Sequence, residues 1–247
     1  MPRSKRFFIP GYTWHITHRC HNNQFLLKYN HDKTRWMDLL HRAKKRFQLS
    51  IFNYTVTSNH IHLLVVDTGY NKPMAKAIHL VAGRTAWEYN QRKNRKGAYW
   101  EDRYHATAIE TEKHLLDCMV YIDLNMVRAG VVNHPAEWKF CGYQEISGLK
   151  KRNLLIDKNG LFYYLGLQDP RNLEPFYKAI INEKILQRNL NRESRWTEAI
   201  AVGSQEFTER IKEELGIKAR YRAIGSHQNI YQLKEDKSVF WTPKISN

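Results

Sequence analysis

The segment from residue 50 to residue 66 constrains the fold more strongly than any other. It contains two runs rich in β-branched and aromatic residues, Ser50–Val56 and His60–Val66, and turn-forming residues separate them. This pattern predicts a β-hairpin. Because successive side chains of a strand point to opposite faces, His60 and His62 are expected on one face and the isoleucine between them on the other.

The His60-Ile61-His62 sequence has two interpretations. Neighbouring imidazoles can bind a divalent metal from one side and leave its other positions open to a substrate, which suits a catalytic site. A His-x-His pair also arises by chance among twelve histidines, as a structural or incidental feature. The hairpin setting and a second polar cluster downstream favour the catalytic interpretation.

The charge of the chain predicts an anionic partner. The 247 residues carry a formal net charge of +16 and give a pI near 9.7, and such a surface attracts nucleic acid. Residues 1–150 hold 23 Lys and Arg against 12 Asp and Glu, whereas residues 151–247 hold 17 against 12. The main anion-binding face is therefore expected in the part that carries the histidine pair.

The composition argues against a membrane protein and against a disulfide-stabilised one. No apolar run is long enough to cross a bilayer, and the first ten residues contain no apolar segment long enough for a signal peptide, so a cytoplasmic protein is expected. Cys20, Cys118 and Cys141 are odd in number and form no Cys-x-x-Cys pair, which indicates neither a disulfide framework nor a structural zinc site.

The first 150 residues alternate between strand-like and helix-like patterns. Strands are predicted at 12–19, in both arms of the hairpin and in the second half of 99–109, and helices at 31–47, at 73–91 and from about residue 112. This order predicts an α+β fold, a ferredoxin-like or RRM-like antiparallel sheet with helices on one face. The other face is expected to stay free for a flat or threaded ligand.

Residues 146–247 are less informative and are interpreted as a mainly helical C-terminal extension. Residues 204–215 have the apolar spacing of a helix, and a basic aromatic segment follows at 217–222. The predicted domain boundary therefore separates a histidine-bearing domain, residues 1–145, from the extension. The extension is either an accessory DNA-binding region or a helical unit that packs on the first domain.

The third predicted helix carries the second polar cluster. Tyr121 and Asn125 are four residues apart and share one helical face, and Arg128 falls on the same face. One interpretation is structural: a half-buried tyrosine, a helix-end asparagine and a surface cation. The other is chemical, because a tyrosine hydroxyl can attack a phosphodiester whose charge is neutralised by a metal.

These residues resemble a known family. His60-Ile61-His62 is similar to the HUH signature of single-tyrosine, IS200-like DNA transposases, and YIDLNMVRAGVV at 121–132 is similar to the Tyr-Ile-x-x-Asn-Pro-Val-Arg-Ala-Gly block of the REP-associated tyrosine transposases. Supporting matches are the opening Met-Pro-Arg, HITHR at 15–19 and WEDRY at 100–104. Together they cover roughly residues 1–145 in the family's order, which is far more specific than one motif. Met126 stands where the family usually has proline, but this change removes no chemical group.

The resemblance implies a DNA transposase or endonuclease that cleaves and rejoins single-stranded, hairpin-associated DNA through a covalent 5′-phosphotyrosine. It implies Tyr121 as the nucleophile and His60, His62 and Asn125 as ligands of Mg²⁺ or Mn²⁺. The expected partner is single-stranded or hairpin DNA, without a membrane, and the protein is expected to be a monomer or a homodimer.

Two arginines and two competing functions complete the sequence-based expectations. Arg103 and Arg128 are candidates for contacts with DNA phosphates, and a structural ion pair is the alternative for each. The competing function is a catalytically retired DNA- or RNA-binding module on the same fold. Replication initiators and plasmid relaxases share the chemistry, but they tend to be larger and differ in motif order or tyrosine context.

Overall fold

The computed structural model describes residues 9–67, 73–150, 152, 154–188, 190–216, 219, 222–227 and 230–234. The strands are β1 (Thr13–Arg19), β2 (Ser50–Val56), β3 (His60–Val66), β4 (His105–Ile109), β5 (Ala199–Gly203), β6 (Ile224–His227) and β7 (Ile230–Lys234). The α-helices are α1 (Asn30–Phe47), α2 (Pro73–Arg92), α3 (Lys113–Asp123), α4 (Asn125–Arg128), α5 (Tyr143–Ile146), α6 (Lys158–Tyr164), α7 (Leu173–Leu186), α8 (Arg195–Glu198) and α9 (Gln205–Leu215). The 3₁₀ turns are His21–Asn23, Pro135–Glu137 and Pro170–Asn172. The opening Met-Pro-Arg match and most of the basic segment 217–222 lie outside the described residues.

The first four strands form the predicted ferredoxin-like unit. They lie in the order β2-β3-β1-β4 and are antiparallel throughout, with α1 following β1 and α2 following β3. The hairpin is confirmed: Thr57 N–H donates to the carbonyl of His60 over 3.0 Å, which closes a three-residue loop between β2 and β3. The predicted α+β fold class is therefore confirmed, and the predicted ends of these elements are close to the observed ones.

One face of the sheet is apolar and packs against α1 and α2. Ile61 and Leu63 of β3 face Trp36 and Leu40 of α1 and Val81 of α2, and these side chains are buried. Burying a large aliphatic side chain of this kind contributes roughly 1.5–3 kcal/mol. The alternation of β3 therefore turns the two histidines of this strand to the opposite face.

The opposite face is polar and is covered by α3. Thr55 of β2 donates its hydroxyl to the carbonyl of Ile122 over 3.1 Å, and Asn53 Nδ2 donates to the carbonyl of Met119 over the same distance. The structure differs here from the expectation of a second face free for ligand. The reason is that buried hydroxyl and amide groups on β2 require hydrogen-bond partners, and the carbonyls of α3 supply them.

The C-terminal end of α3 is held by a buried carboxyl group. Asp123 is 1% exposed and accepts hydrogen bonds from the Tyr177 hydroxyl of α7 at 2.5 Å, from Asn53 Nδ2 at 3.0 Å and from Tyr143 N–H at 3.3 Å. Burial raises the pKa of the Asp123 carboxyl to about 7, and the hydrogen bonds limit that rise. This network joins α3 to the sheet and to the C-terminal region.

The C-terminal extension continues the sheet. It is mainly helical, as predicted, but it also adds three strands that were not predicted: β5 pairs in parallel with β4, β7 pairs with β5, and β6 lies at the edge. The sheet therefore crosses the predicted boundary between residues 145 and 146, which itself stays a prediction. The run AIAVG at 199–203 is short and lacks the polar-apolar alternation by which a strand is recognised.

The outer edge of β2 is covered by the chain between residues 140 and 157. Val56 N–H donates to the carbonyl of Phe140, Gly142 N–H donates to the carbonyl of Tyr54, and Asp157 N–H donates to the carbonyl of Ile51. These bonds are 2.8–2.9 Å long. The backbone groups that an edge strand exposes are thus partly satisfied within the chain.

Two expectations from composition concern membranes and cysteines. No helix in the described part of the chain combines the length and the apolar character needed to span a bilayer. Cys20, Cys118 and Cys141 are buried free thiols.

Removal of the Tyr177 hydroxyl should test the Asp123 network. Tyr177→Phe leaves the buried carboxylate one donor short, so the free energy of unfolding should fall by about 1.5–3 kcal/mol. Urea unfolding at pH 8, where this carboxyl is mainly ionised, measures the change. Tyr163→Phe is the matched control. Tyr163 is 79% exposed, so its substitution should change the free energy of unfolding by no more than about 0.5 kcal/mol. Equal midpoints for the two variants would contradict the assigned role.

Candidate active site

The two histidines of β3 point their Nε2 atoms at one side chain. Nε2 of His62 lies 3.1 Å from Asn125 Nδ2, and Nε2 of His60 lies 3.5 Å from the same atom. The two imidazole rings are 5.0 Å apart between centroids and nearly perpendicular. The structure thus brings the histidine pair together with Asn125, which lies more than sixty residues further along the sequence.

The hairpin loop orients His60. Its Nδ1 atom lies 2.7 Å from Asn59 Oδ1, and because an amide oxygen only accepts, the imidazole N–H must be on Nδ1. Nε2 then carries a lone pair that faces Asn125. Burial, followed by the nearby Arg19, Arg192 and Arg128 guanidinium groups, lowers the pKa of His60 to about 4, so the ring is neutral at pH 7.

His62 is oriented by a third histidine. Its Nδ1 atom lies 2.9 Å from His15 Nε2, and His15 Nδ1 lies 2.7 Å from the carbonyl oxygen of Trp196. Burial lowers the pKa of His15 to about 3. Burial also lowers the pKa of His62 well below its ordinary value, and the neighbouring His60 and His15 lower it further. His15 is thus fully buried, has a hydrogen-bond partner at each ring nitrogen and lies beside the histidine pair.

Tyr121 lies on α3 above the histidines. Its ring centroid is 5.9 Å from that of His62 and 6.2 Å from that of His15. Arg128 covers the ring, with Cζ 4.1 Å from the centroid, and its Nη2 donates to the carbonyl of Tyr121 over 2.7 Å. Burial raises the pKa of the Tyr121 phenol, and the Arg128 charge opposes that rise.

A break in the helix separates Tyr121 from Asn125. Leu124 has φ −77° and ψ 3° between α3 and α4, so the predicted single helix is two helices with the polar residues on both. Gly130, at φ 65°, ends α4 in a Schellman motif with bonds to the carbonyls of Val127 and Met126. Met126 lies in the first turn of α4, where a backbone N–H has no helical partner and a proline is tolerated.

All six residues singled out in the sequence line one open cavity of about 860 Å³. They are His60, His62, Arg103, Tyr121, Asn125 and Arg128. Arg19 and Arg192 also line it, so four guanidinium groups face the same space, against the carboxyl groups of Glu101 and Asp102. The cavity is therefore suited to a large anion such as a nucleic-acid backbone.

Three residues of this site were not identified from the sequence as part of it: Arg19, Arg192 and Trp196. Arg19 follows His15 and Thr17 on β1 at the spacing of one strand face, so alternation alone could have placed it. Arg192, which lies 3.5 Å from Glu198, and Trp196, whose ring is 6.2 Å from that of Tyr121, come from the extension, where no pattern indicated them.

The donor atoms fit a divalent metal with neutral ligands. The Nε2 atoms of His60 and His62 converge on the Asn125 amide, and rotation of that amide by half a turn would present its oxygen instead of its nitrogen. Among the described residues, no group of three or more His, Cys, Asp or Glu side chains could hold a metal. A third protein donor would therefore be this amide, and oxygens of a bound substrate could complete the shell.

The fold of this chain is similar to that of solved protein structures. A REP-associated tyrosine transposase bound to a REP hairpin is 17% identical, covers 63% of this chain and 90% of its own, and superposes with a TM-score of 0.51. A Deinococcus radiodurans protein described as a transposase is 14% identical, covers 42% of this chain and 84% of its own, and gives a TM-score of 0.33. The first similarity supports the fold, and the second is too remote to support an argument.

Comparison of sequences gives the family. No curated protein matches the chain significantly. The family model described as "Transposase IS200 like" matches residues 9–125, a segment that contains the histidine pair, Tyr121 and Asn125. The resemblance inferred from the motifs is confirmed at this level: residues 9–125 of the chain are similar to the IS200-like transposase family.

Proposed function

We propose that this transposase cleaves and rejoins single-stranded DNA through a covalent bond between Tyr121 and a 5′ phosphate. The observation that carries the proposal is the convergence of the Tyr121 ring, two neutral imidazoles and the Asn125 amide on one cationic cavity. A phenol beside a cationic cavity is equipped to attack a phosphodiester. A purely structural tyrosine would not require these neighbours.

The reaction exchanges one phosphate ester for another. The phenolic oxygen of Tyr121 attacks phosphorus and loses its proton to solvent, while the bond to the 3′ oxygen breaks and that oxygen gains a proton. The product is a 5′-phosphotyrosine and a free 3′-OH. Because the energy of the ester bond is retained, a later 3′-OH can attack the phosphotyrosine and reseal the strand without ATP.

His60, His62 and Asn125 would hold the Mg²⁺ or Mn²⁺ ion of the reaction. When bound, such an ion draws charge from a non-bridging phosphate oxygen and so assists attack. The three protein donors are neutral, and hard divalent ions prefer charged oxygen ligands, so the protein alone should bind the ion weakly. The histidines stay neutral at pH 7 because burial lowers their pKa values, which keeps their lone pairs available.

The substrate proposed is hairpin-associated single-stranded DNA. The similar REP-associated transposase is described as bound to a REP hairpin. In this chain Arg19, Arg103 and Arg192 line the cavity around the Tyr121 ring, where guanidinium groups can form paired hydrogen bonds with phosphate oxygens. Arg128 has a different position, stacked on the tyrosine, and would stabilise the charge that develops on its oxygen.

Substitution of the nucleophile tests the chemistry. Tyr121→Phe should abolish cleavage of labelled hairpin-bearing single strands in Mn²⁺, and the covalent protein–DNA adduct should disappear from denaturing gels while DNA binding survives. Tyr163→Phe changes an exposed tyrosine in the same way and should cleave as the wild type does. Cleavage and adduct formation that persist in Tyr121→Phe would refute the nucleophile. A wild-type chain that binds DNA without cleaving it would favour the retired binding module.

Substitution of the amide tests the proposed metal site. Asn125→Ala removes one ligand and should weaken Mn²⁺ binding by at least about 10–100-fold, the loss that changes in the outer-shell partners of metal ligands already cause. Electron paramagnetic resonance titration of free Mn²⁺ measures the affinity without DNA, and the cleavage rate in Mn²⁺ should fall in parallel. The matched control is Asn133→Ala, at an exposed position that is not part of the cavity lining. If both variants bound Mn²⁺ as the wild type does, Asn125 would be no ligand.

A further inference from the structure

A chain of three buried groups leads from the C-terminal extension into the candidate metal site. The carbonyl of Trp196 lies 2.7 Å from His15 Nδ1, and His15 Nε2 lies 2.9 Å from His62 Nδ1. Trp196 and His15 are fully buried, and His62 is 2% exposed. Water therefore has little access to replace any member of this chain.

The chemistry of the first member determines the proton positions of the others. A backbone carbonyl can only accept, so the hydrogen atom on this side belongs to His15 Nδ1. Full burial disfavours a second proton on the His15 ring, so its Nε2 carries a lone pair. That lone pair must accept from His62, which places the His62 proton on Nδ1 and leaves its Nε2 bare.

The bare nitrogen is the one that faces Asn125. His62 Nε2 lies 3.1 Å from the Asn125 amide nitrogen, an arrangement in which Nε2 accepts. If the His62 proton were on Nε2 instead, this nitrogen would have no lone pair for a metal. The hydrogen-bond partner of the distal nitrogen therefore decides whether the ring can act as a ligand.

We propose that His15 is a positioning residue that holds His62 in the Nδ1–H tautomer, and that the extension sets this tautomer through the Trp196 carbonyl. The inference deepens the proposed function, since it concerns the same metal site, and it assigns a role to residues 146–247. His15 contacts neither the substrate nor the metal in this scheme, and it acts only through His62.

The fold holds the Trp196 carbonyl in place for this role. Trp196 lies on α8, directly before β5, and the parallel pairing of β5 with β4 fixes the register of this segment. The Thr107 hydroxyl of β4 lies 2.7 Å from the carbonyl of Ala199 and 3.3 Å from that of Trp196. Its shorter contact is thus with Ala199, and the Trp196 carbonyl remains available to His15.

The direct test is ¹⁵N nuclear magnetic resonance of the imidazole side chains in the metal-free, full-length chain. This measurement distinguishes a protonated from a bare ring nitrogen. In the wild type, His62 should be protonated at Nδ1 and bare at Nε2. His15→Leu removes the acceptor and should shift the His62 proton toward Nε2, with a loss of Mn²⁺ affinity of about 10–100-fold. His15→Gln, which can donate to the carbonyl and accept from His62, should restore much of both.

A substitution elsewhere in the extension separates this role from general damage to the fold. Thr208→Val removes the hydrogen bonds of a buried hydroxyl to the carbonyls of Ser204 and Gln205 at the start of α9, so the tautomer and the Mn²⁺ affinity should not change. A wild-type His62 protonated at Nε2, or a His15→Leu variant with unchanged tautomer and affinity, would overturn the proposal. If His15→Leu does not fold, the wild-type spectrum and the His15→Gln variant still test the proposal.

The NMR and Mn²⁺-binding measurements use no DNA. If the wild type showed the expected His62 tautomer but did not cleave DNA, that result would count against the proposed function and not against the role of His15.

Discussion

The structure depends on how the buried polar face of the sheet is satisfied. A buried donor or acceptor without a partner costs about 1–3 kcal/mol, so a face that carries hydroxyl, amide and imidazole groups must be covered by elements that offer partners. Helix α3 provides carbonyls for Asn53 and Thr55, and the C-terminal segment provides them for Thr107 and His15. Helix α3 therefore crosses this face, and it carries Tyr121 with it.

The same burial defines the electrostatics of the cavity. It keeps the imidazoles neutral although arginines surround them, because the loss of solvation and the nearby positive charges both disfavour a second proton. Neutral nitrogen donors and guanidinium groups therefore coexist in one space. The imidazole nitrogens can bind a cation and the guanidinium groups can bind phosphate. Because the imidazoles carry no charge, they do not neutralise the guanidinium groups as carboxylates would.

Much of the fold and most of the candidate site follow from short-range patterns. The alternation of β3 places His60 and His62 together, and the four-residue spacing of Tyr121 and Asn125 places them on one side of α3 and α4, despite the break between those helices. That the two pairs meet is a property of the tertiary structure, and only the family resemblance anticipated it. The contacts that join the extension to the first four strands had no local signal, because β5 pairs with β4 and the Trp196 carbonyl contacts His15 across some 90 to 180 residues of sequence.

The covered edge of β2 has a consequence for assembly. Strand-by-strand joining of two copies needs a row of unpaired backbone groups, and the bonds from Phe140, Gly142 and Asp157 occupy part of that row on β2. A second molecule cannot extend the sheet continuously from this side. Any pairing of two chains must therefore use side-chain surfaces or another border of the sheet.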